Sequence, residues 1–78
     1  MRIDFHEALE RGDLSLADAC RMMRKITGLT QAEYAKITDV AMRTLVDLER
    51  GCGNPTIQTI EKIGKPFGLR VVFRGKRF

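Results

Sequence analysis

Residues 29 to 51 read LTQAEYAKITDVAMRTLVDLERG, and this stretch predicts two short helices joined by a tight turn. Thr30 followed three residues later by Glu33 is the pattern of a capping box, so we expect the first helix to begin at Gln31. Asp39 falls at the turn between the helices, where Asp tolerates a left-handed backbone, although less well than Gly. The stretch therefore predicts a helix, a turn and a second helix closed by a glycine.

Small and apolar residues in the same stretch predict how the two helices pack. Two helices that cross steeply within about 25 residues must bring their backbones close, and Ala35 is small enough to allow this. Val40, Leu45 and Leu48 form the apolar stripe of the second helix, which we expect to run from about Met42 to Arg50. Its other faces, free to meet a partner, carry Met42, Arg43, Thr44, Val46 and Asp47.

The stretch resembles the Xre family, the Cro and phage-repressor type of helix-turn-helix protein. With the helices on either side, the resemblance covers roughly residues 15 to 68. It implies an all-α, five-helix lambda-repressor-like domain, here followed by a short C-terminal β-strand. The matching positions are Leu29 to Gln31, Glu33, Ala35, Val40, Thr44, Leu45, Leu48, Glu49 to Gly51, Asn54 and Pro55.

Some positions depart from the family's pattern. The family usually has Gly where Asp39 stands and Ser or Thr where Ala41 stands, so the second helix lacks a conventional N-cap worth about 1 kcal/mol. Cys52 and Gly53 replace residues that are often basic, which weakens the expectation of phosphate contacts from that loop.

The charge distribution points to a polyanionic partner. Residues 1–20 carry two basic and five acidic groups, whereas residues 21–78 carry twelve basic and five acidic groups, within a net charge of +4. A basic domain with this motif favours double-stranded DNA. A membrane surface is the alternative, but the basic residues do not line one face of a long amphipathic helix. We expect a cytoplasmic protein, because the sequence has neither a spanning segment nor a signal layout.

The residue types that support catalysis or metal binding are sparse. His6 is the only histidine, so a zinc site or a His-dependent catalytic pair lacks its other members. Cys20 is expected in the core and Cys52 in a loop, and a reducing cytoplasm disfavours a disulfide between them. We therefore expect no enzymatic activity, no cofactor and no metal.

The segments before the motif predict two helices. Residues 1–13 form a short N-terminal helix in which Asp4 and Glu7 can supply the cap and Gly12 the end. Asp4, Glu7 and Glu10 recur every three residues and form an acidic ridge. This ridge is either a solvated face or a docking site for a basic segment, and residues 1–5 also suit a very short strand. Residues 14–68 form the DNA-binding domain. Its first helix is capped by Ser15 and runs to about Thr27, with Arg21 and Lys25 outward and Leu16, Ala19, Cys20, Met23 and Ile26 buried.

The segments after the motif predict a helix and a strand. Thr56 caps a helix from Ile57 to about Lys65, with Ile57, Ile60, Ile63 and Phe67 in the core. Residues 69–78 change to an alternating pattern and hold a basic tail. Its strand places on one side the residues expected to mediate dimerisation, Leu69, Val71 and Phe73.

The resemblance and DNA geometry together assign roles to the motif residues. Arg43 can grip guanine with two bonds, Met42 can contact a thymine methyl, and Asp47 can accept from a cytosine amino group or orient Arg43 or Arg50 by a salt bridge. Val46 joins these base-reading positions. The phosphate candidates are Thr30, Gln31, Lys36, Thr44 and Arg50, and the resemblance pairs Arg24 with Glu49 as a structural ion pair.

These features predict a sequence-specific transcriptional repressor that binds a palindromic operator as a homodimer. The resemblance also implies an alternative, because a single strand after the last helix is similar to the arrangement in the HipB group of antitoxins. Such a protein would bind and neutralise a co-encoded toxin while regulating its own operon. The two functions are compatible with one another.

Overall fold

The computed structural model describes residues 14–72 together with Leu9 and Gly12. Within these residues, the secondary structure is entirely helical, and four α-helices are followed by one 3₁₀ turn. The helices are α1 (Leu16–Thr27), α2 (Gln31–Thr38), α3 (Met42–Glu49) and α4 (Ile57–Gly64), and the 3₁₀ turn is Lys65–Phe67.

Hydroxyl side chains begin three of the four helices, as the sequence predicts. Ser15 accepts from the Asp18 amide at 3.1 Å before α1, and Thr56 accepts from the Thr59 amide at 3.1 Å before α4. At α2 the capping box is complete, since Thr30 accepts from the Glu33 amide and the Glu33 carboxylate accepts from the Thr30 amide. Each cap satisfies a backbone donor that the first helical turn leaves unpaired.

The turn between α2 and α3 agrees with the sequence prediction in two respects, the left-handed backbone of Asp39 and the lack of a side-chain cap on α3. Asp39 adopts a left-handed conformation with a φ of 59°, and its amide donates to the Lys36 carbonyl at 3.2 Å. Ala41 is extended at the start of α3 but makes no side-chain cap bond. α3 therefore begins without the side-chain cap that the other three described helices have.

The core lies where α3 packs against both α1 and α2, and α4 packs against α1 and α2 as well. Tyr34 is fully buried, and its hydroxyl donates to the Ile63 carbonyl at 2.7 Å, which ties α2 to the end of α4. Burial raises the pKa of Tyr34 to about 12. The other buried apolar residues are Ala19, Cys20, Met23, Ala35, Leu45, Leu48 and Ile63.

Three residues that the apolar pattern places in the core are exposed instead. Leu16 and Ile57 are the first residues of α1 and α4, and Ile26 lies in the last turn of α1. Ile57 is 63% exposed, whereas Ile63, nearer the other end of the same helix, is buried. Helical spacing identifies a face of a helix but does not show how far along that face the neighbouring helices extend.

The segment after α4 folds back onto that helix. The Leu69 amide donates to the Gly64 carbonyl at 3.0 Å, and a Cβ atom at position 64 would lie only 3.0 Å from the Leu69 Cβ. Residues 69–72 form no strand with any part of the chain that the structure describes, and Phe73 lies outside the described residues. Val71 and Val72 are exposed.

Most of the predicted N-terminal helix, including the acidic ridge and the alternative strand at residues 1–5, lies outside the described residues. Leu9 is helical and packs against the core, and Gly12 adopts a φ of 74° with its amide donating to the Leu9 carbonyl at 3.0 Å. Within the described part, no helix combines the length and apolarity needed to cross a membrane.

Candidate nucleic-acid interface

α3 has one face that fixes it in the domain and another that is open to a partner. Leu45 is fully buried and Leu48 nearly so. Met42 is 48% exposed at the first position of the helix, and the side chain of its neighbour Arg43 is 87% exposed. The predicted base-reading residues at the N-terminal end of α3 are therefore presented outward by a helix whose opposite face is packed.

Asp47 lies one turn after Arg43 and contacts it. The Arg43 Nε atom is 3.7 Å from the Asp47 Oδ2 atom, and the aspartate side chain is about one third exposed. An exposed pair at this spacing contributes little to stability. The structure shows this contact with Arg43, and the roles predicted for Asp47 toward DNA stay predictions.

The loop after α3 folds back against Asp47. The Cys52 amide donates to the Asp47 carbonyl at 2.8 Å, and a Cβ atom on Gly53, which has a φ of 84°, would lie 3.4 Å from the Asp47 Cβ. Between this loop and α3 is an open cleft of about 210 Å³, to which Thr44 and Asp47 contribute polar groups. Val46 is half-buried on the same helix, and Cys52 is an exposed free thiol.

The predicted phosphate-binding residues occupy several places around α3. Thr30 and Gln31 stand at the N-terminus of α2, and the Gln31 amide donates to the Glu49 Oε1 atom at 3.2 Å. Lys36 is exposed in the last turn of α2, and Arg50 is exposed immediately after α3. The free backbone amides at the start of α2 and the two cations all favour an anion.

The Arg24 and Glu49 side chains meet between α1 and the end of α3. Arg24 donates from Nε to Oε2 of Glu49 at 2.7 Å and from Nη2 to Oε1 at 3.0 Å, which is the two-pronged geometry of a strong pair. A further nitrogen of Arg24 donates to the Leu29 carbonyl at 3.2 Å. Arg24 thus links α1 to the end of α3 and to the residue that precedes the cap of α2.

The Glu49 carboxylate is held by several donors although Glu49 is only 5% exposed. Burial by itself would raise the pKa of this carboxyl, but hydrogen bonds from Arg24 and Gln31 and the charges of Arg24 and Arg21 outweigh burial. The pKa of Glu49 therefore lies below its ordinary value. A buried anion with this many donors is a fixed structural element.

Arg21 has a role that the helical pattern did not predict. The pattern placed Arg21 outward on α1, but its guanidinium donates to the backbone carbonyl of Glu49 and to the carboxylate of Asp18. The spacing of Asp18 and Arg21 does signal their mutual contact, since residues three apart share a helix face. The contact with Glu49 depends on the packing of α1 against α3, for which the local sequence has no signal.

The residues expected to mediate dimerisation are only partly described. Leu69 is half-buried and packs against the core, whereas Val71 is exposed and its amide donates to the Glu61 carboxylate at 3.4 Å. Phe73 lies outside the described residues. These positions are on the segment after α4, separate in sequence from the residues of the motif.

Known proteins resemble this chain along most of its length. A family model described as helix-turn-helix matches residues 21–73, which is more than half of the chain. The HTH-type transcriptional regulator DdrOP3 of Deinococcus deserti is 29% identical over 58 residues, a match that covers 74% of this chain and 45% of that protein. An uncharacterized HTH-type transcriptional regulator of Archaeoglobus fulgidus is 39% identical over 51 residues, which is 65% of this chain and 73% of that protein.

The chain thus spans less than half the length of the Deinococcus relative. No solved structure matches it. The family match includes the whole of α2, the turn at Asp39 and α3. The chain belongs to the helix-turn-helix family, of the Xre/Cro type.

Proposed function

We propose that this protein is a sequence-specific, DNA-binding transcriptional repressor that acts in the cytoplasm as a homodimer on a palindromic operator. One observation carries the proposal. Residues Leu45 and Leu48 fix α3 from its buried side, while Met42 and Arg43 stand exposed at its N-terminal end. This is the arrangement that a recognition helix needs in order to place its first residues against base edges in the major groove.

The chemistry of the exposed residues supports direct reading of bases. With α3 in the major groove, Arg43 can donate two bonds to O6 and N7 of a guanine, and Met42 can pack on a thymine methyl group. Asp47 can then accept from the amino group of a cytosine, or keep Arg43 in the orientation seen in the free protein. Val46, which is half-buried, contributes an apolar edge to this surface.

The surrounding residues support binding to the DNA backbone. α2 lies across the backbone in such a complex, with its N-terminus directed at a phosphate, so Thr30 and Gln31 can add hydrogen bonds there. Lys36 is an exposed cation in the last turn of α2, Arg50 is another immediately after α3, and Thr44 lines the cleft beside α3. Contacts of this kind position the protein and contribute affinity without sequence preference.

The homodimer forms in this proposal by pairing of the C-terminal segment, residues 69–73, with its copy. The alternating pattern of Leu69, Val71 and Phe73 supports a strand here, and the described part of the chain, which is helical, contains no strand that could pair with it. A two-fold axis through such a pair relates the two copies of α3. Half-sites about one helical turn apart, roughly 34 Å, follow from this geometry.

Selection of bound sequences from a random pool of double-stranded DNA tests the function. We expect enrichment of an inverted repeat with half-sites about one helical turn apart. The selected site, placed between a promoter and a reporter gene, should then lower expression when the protein is produced. A pool without an enriched sequence would contradict specific recognition, an enriched sequence without two-fold symmetry would contradict the dimer, and increased expression would contradict repression.

The antitoxin function is a second candidate, supported by the exposed apolar residues Val71 and Val72 on the segment after α4. A protein partner can cover such residues while α3 remains available for DNA. Co-expression with the product of the neighbouring gene tests this candidate. Stable co-purification together with loss of that product's toxicity would support it, whereas separate elution of the two proteins would leave the repressor function alone.

A further inference from the structure

α3 depends on other parts of the domain for its position. It has only eight residues, which is too short for a helix to be stable alone, and Ala41 provides no side-chain cap. Its last turn also carries no basic residue, so α3 itself provides no cation for the negative end of its dipole. The contacts that fix the C-terminal end of this helix come from the residues directly after it and from α1.

The last carbonyl groups of α3 accept hydrogen bonds from the loop that follows the helix and from Arg21. The amides of residues 50–52 donate to the carbonyls of Val46, Asp47 and Leu48. The next carbonyl, that of Glu49, accepts instead from the Arg21 guanidinium of α1. Arg21 therefore supplies the donor for the Glu49 carbonyl and adds a positive charge at the C-terminus of α3.

Asp18 holds Arg21 in the required orientation. Its carboxylate accepts from the Arg21 nitrogen Nη2, while the nitrogen Nη1 is directed at the Glu49 carbonyl. The two residues lie three apart on α1, where such a pair shares one face of the helix. Since both side chains are about 40% or more exposed, the contact lies at the edge of the domain and not in its core.

We propose that Asp18 and Arg21 form a positioning clamp that holds the C-terminal end of α3 on α1 and so sets the angle at which Met42 and Arg43 are presented to DNA. The clamp differs from the Arg24 pair, because Arg24 binds the side chain of Glu49 whereas Arg21 binds its main chain. It rests on the proposed function, since presentation matters only if α3 reads bases. Arg21 thereby influences specificity without touching DNA.

Binding measurements on Arg21→Met test the clamp. Methionine keeps an unbranched apolar stem but removes every donor, and Lys25→Met is the matched control because it removes one charge from an exposed position of the same helix. We expect Arg21→Met to weaken binding to the selected operator about tenfold more than binding to scrambled DNA, as for loss of a charge-assisted hydrogen bond. Its salt slope should equal that of Lys25→Met, and Arg21→Lys should recover part of the specificity.

Two results would overturn the clamp. Equal losses for both DNAs with a salt slope reduced by about one unit would show that Arg21 is a phosphate contact. An unchanged ratio of the two affinities would show that Arg21 does not position α3. If Arg21→Met does not fold, Asp18→Ala provides the same comparison, with a smaller loss in the same direction.

Hydrogen exchange in the free protein separates failure of the clamp from failure of the proposed function. We expect Arg21→Met to accelerate exchange of the Arg50, Gly51 and Cys52 amides about tenfold relative to the amides of α2, because a loosened helix end opens locally. Unaltered exchange at these amides would contradict the clamp. A wild-type protein without DNA preference would contradict the proposed function, and the exchange result would still decide whether the clamp exists.

Discussion

Glu49 is the residue through which the elements of the interface are most closely connected. Its carboxylate accepts hydrogen bonds from the Arg24 and Gln31 side chains, and its main-chain carbonyl accepts one from Arg21. These contacts join α1 and the start of α2 to the end of α3. We therefore expect a change at Glu49 to affect both the stability of the domain and the position of α3.

Removal of either partner of the Arg24 and Glu49 pair should be strongly destabilising. Glu49→Ala leaves the Arg24 guanidinium without its partner, and we expect a loss of about 3 kcal/mol in the free energy of unfolding. This is the lower end of the usual range for a broken buried pair, because the Arg24 side chain is 20% exposed and can reach water. Denaturant titrations of Glu49→Ala, Arg24→Ala and the double variant measure the coupling. Small, additive losses would contradict an interaction between the two residues.

The lowered pKa of Glu49 predicts that the stability of the fold decreases at acid pH. The pKa of Glu49 is lower in the folded protein than its ordinary value of 4.5, so its contribution to stability is complete above that value and is lost as the pH falls through the folded pKa. Wild type should lose more stability than Glu49→Gln between neutral pH and about pH 3. Urea titrations at both pH values measure the difference, and identical acid sensitivity of the two proteins would be the contrary result.

α3 has the weakest local support of the four described helices. Ala41 has the extended backbone of an N-cap residue, with a φ of −60° and a ψ of 138°, but no side-chain acceptor. We expect Ala41→Ser to raise the free energy of unfolding by about 1 kcal/mol, because its hydroxyl can accept from an amide in the first turn. Thermal melting measures the gain, with Ala41→Val as a control that adds atoms but no acceptor. Equal melting temperatures for Ala41→Ser and wild type would contradict this explanation of the weak helix start.

Helix starts and the motif turn could be predicted from the sequence because their causes are local. The Thr30 and Glu33 capping box and the left-handed Asp39 depend on residues within one turn of each other. The exposure of Ile26 and Ile57 and the contact between Arg21 and the Glu49 carbonyl depend on how separate helices pack. Such packing leaves no trace in residue spacing, so these features could not be predicted.

The candidate site also has features with local causes, which could be predicted, and features that depend on packing, which could not. Outward presentation of Met42 and Arg43 follows from the periodicity of a single helix, as does the spacing that brings Asp47 near Arg43. The engagement of Gln31 by Glu49 joins residues eighteen apart in the chain. The sequence therefore predicts which side chains can reach DNA better than it predicts what holds them.

The proposed dimer forms through the C-terminal segment, residues 69–73. Val71→Lys should convert the dimer to a monomer, since it places a charge on the proposed interface and leaves Leu69 packed against Gly64. Val72→Lys is the matched control, because alternate residues of a strand lie on opposite faces. Light scattering measures the molar mass of each variant. A dimeric Val71→Lys protein would contradict the interface, and a monomeric Val72→Lys protein would contradict the alternation.

The charge of the chain favours binding to DNA of any sequence. Residues 21–78 hold twelve of the fourteen basic groups, and in the proposed dimer the two copies of α3 add the preference for one site. Arg50→Ala and Lys36→Ala should therefore weaken binding to all sequences alike and reduce the salt slope by about one unit for each phosphate that is no longer neutralised. Gln31→Ala should weaken binding with little change in the salt slope, because the Gln31 side chain is uncharged and neutralises no phosphate. Salt titrations of the three variants measure these slopes, and an unchanged slope for Arg50→Ala and Lys36→Ala would exclude phosphate binding by those residues.

The most direct test of base reading by α3 is a salt titration of Arg43→Ala against the selected operator and a scrambled duplex. We expect a loss of about 1–3 kcal/mol on the operator, a relaxed preference at one base pair of each half-site, and little change on the scrambled duplex. Folding should be unaffected, since the Arg43 side chain is 87% exposed. Equal losses of affinity for both duplexes would contradict base reading, because Arg43 would then bind the DNA backbone and specificity would have to come from elsewhere.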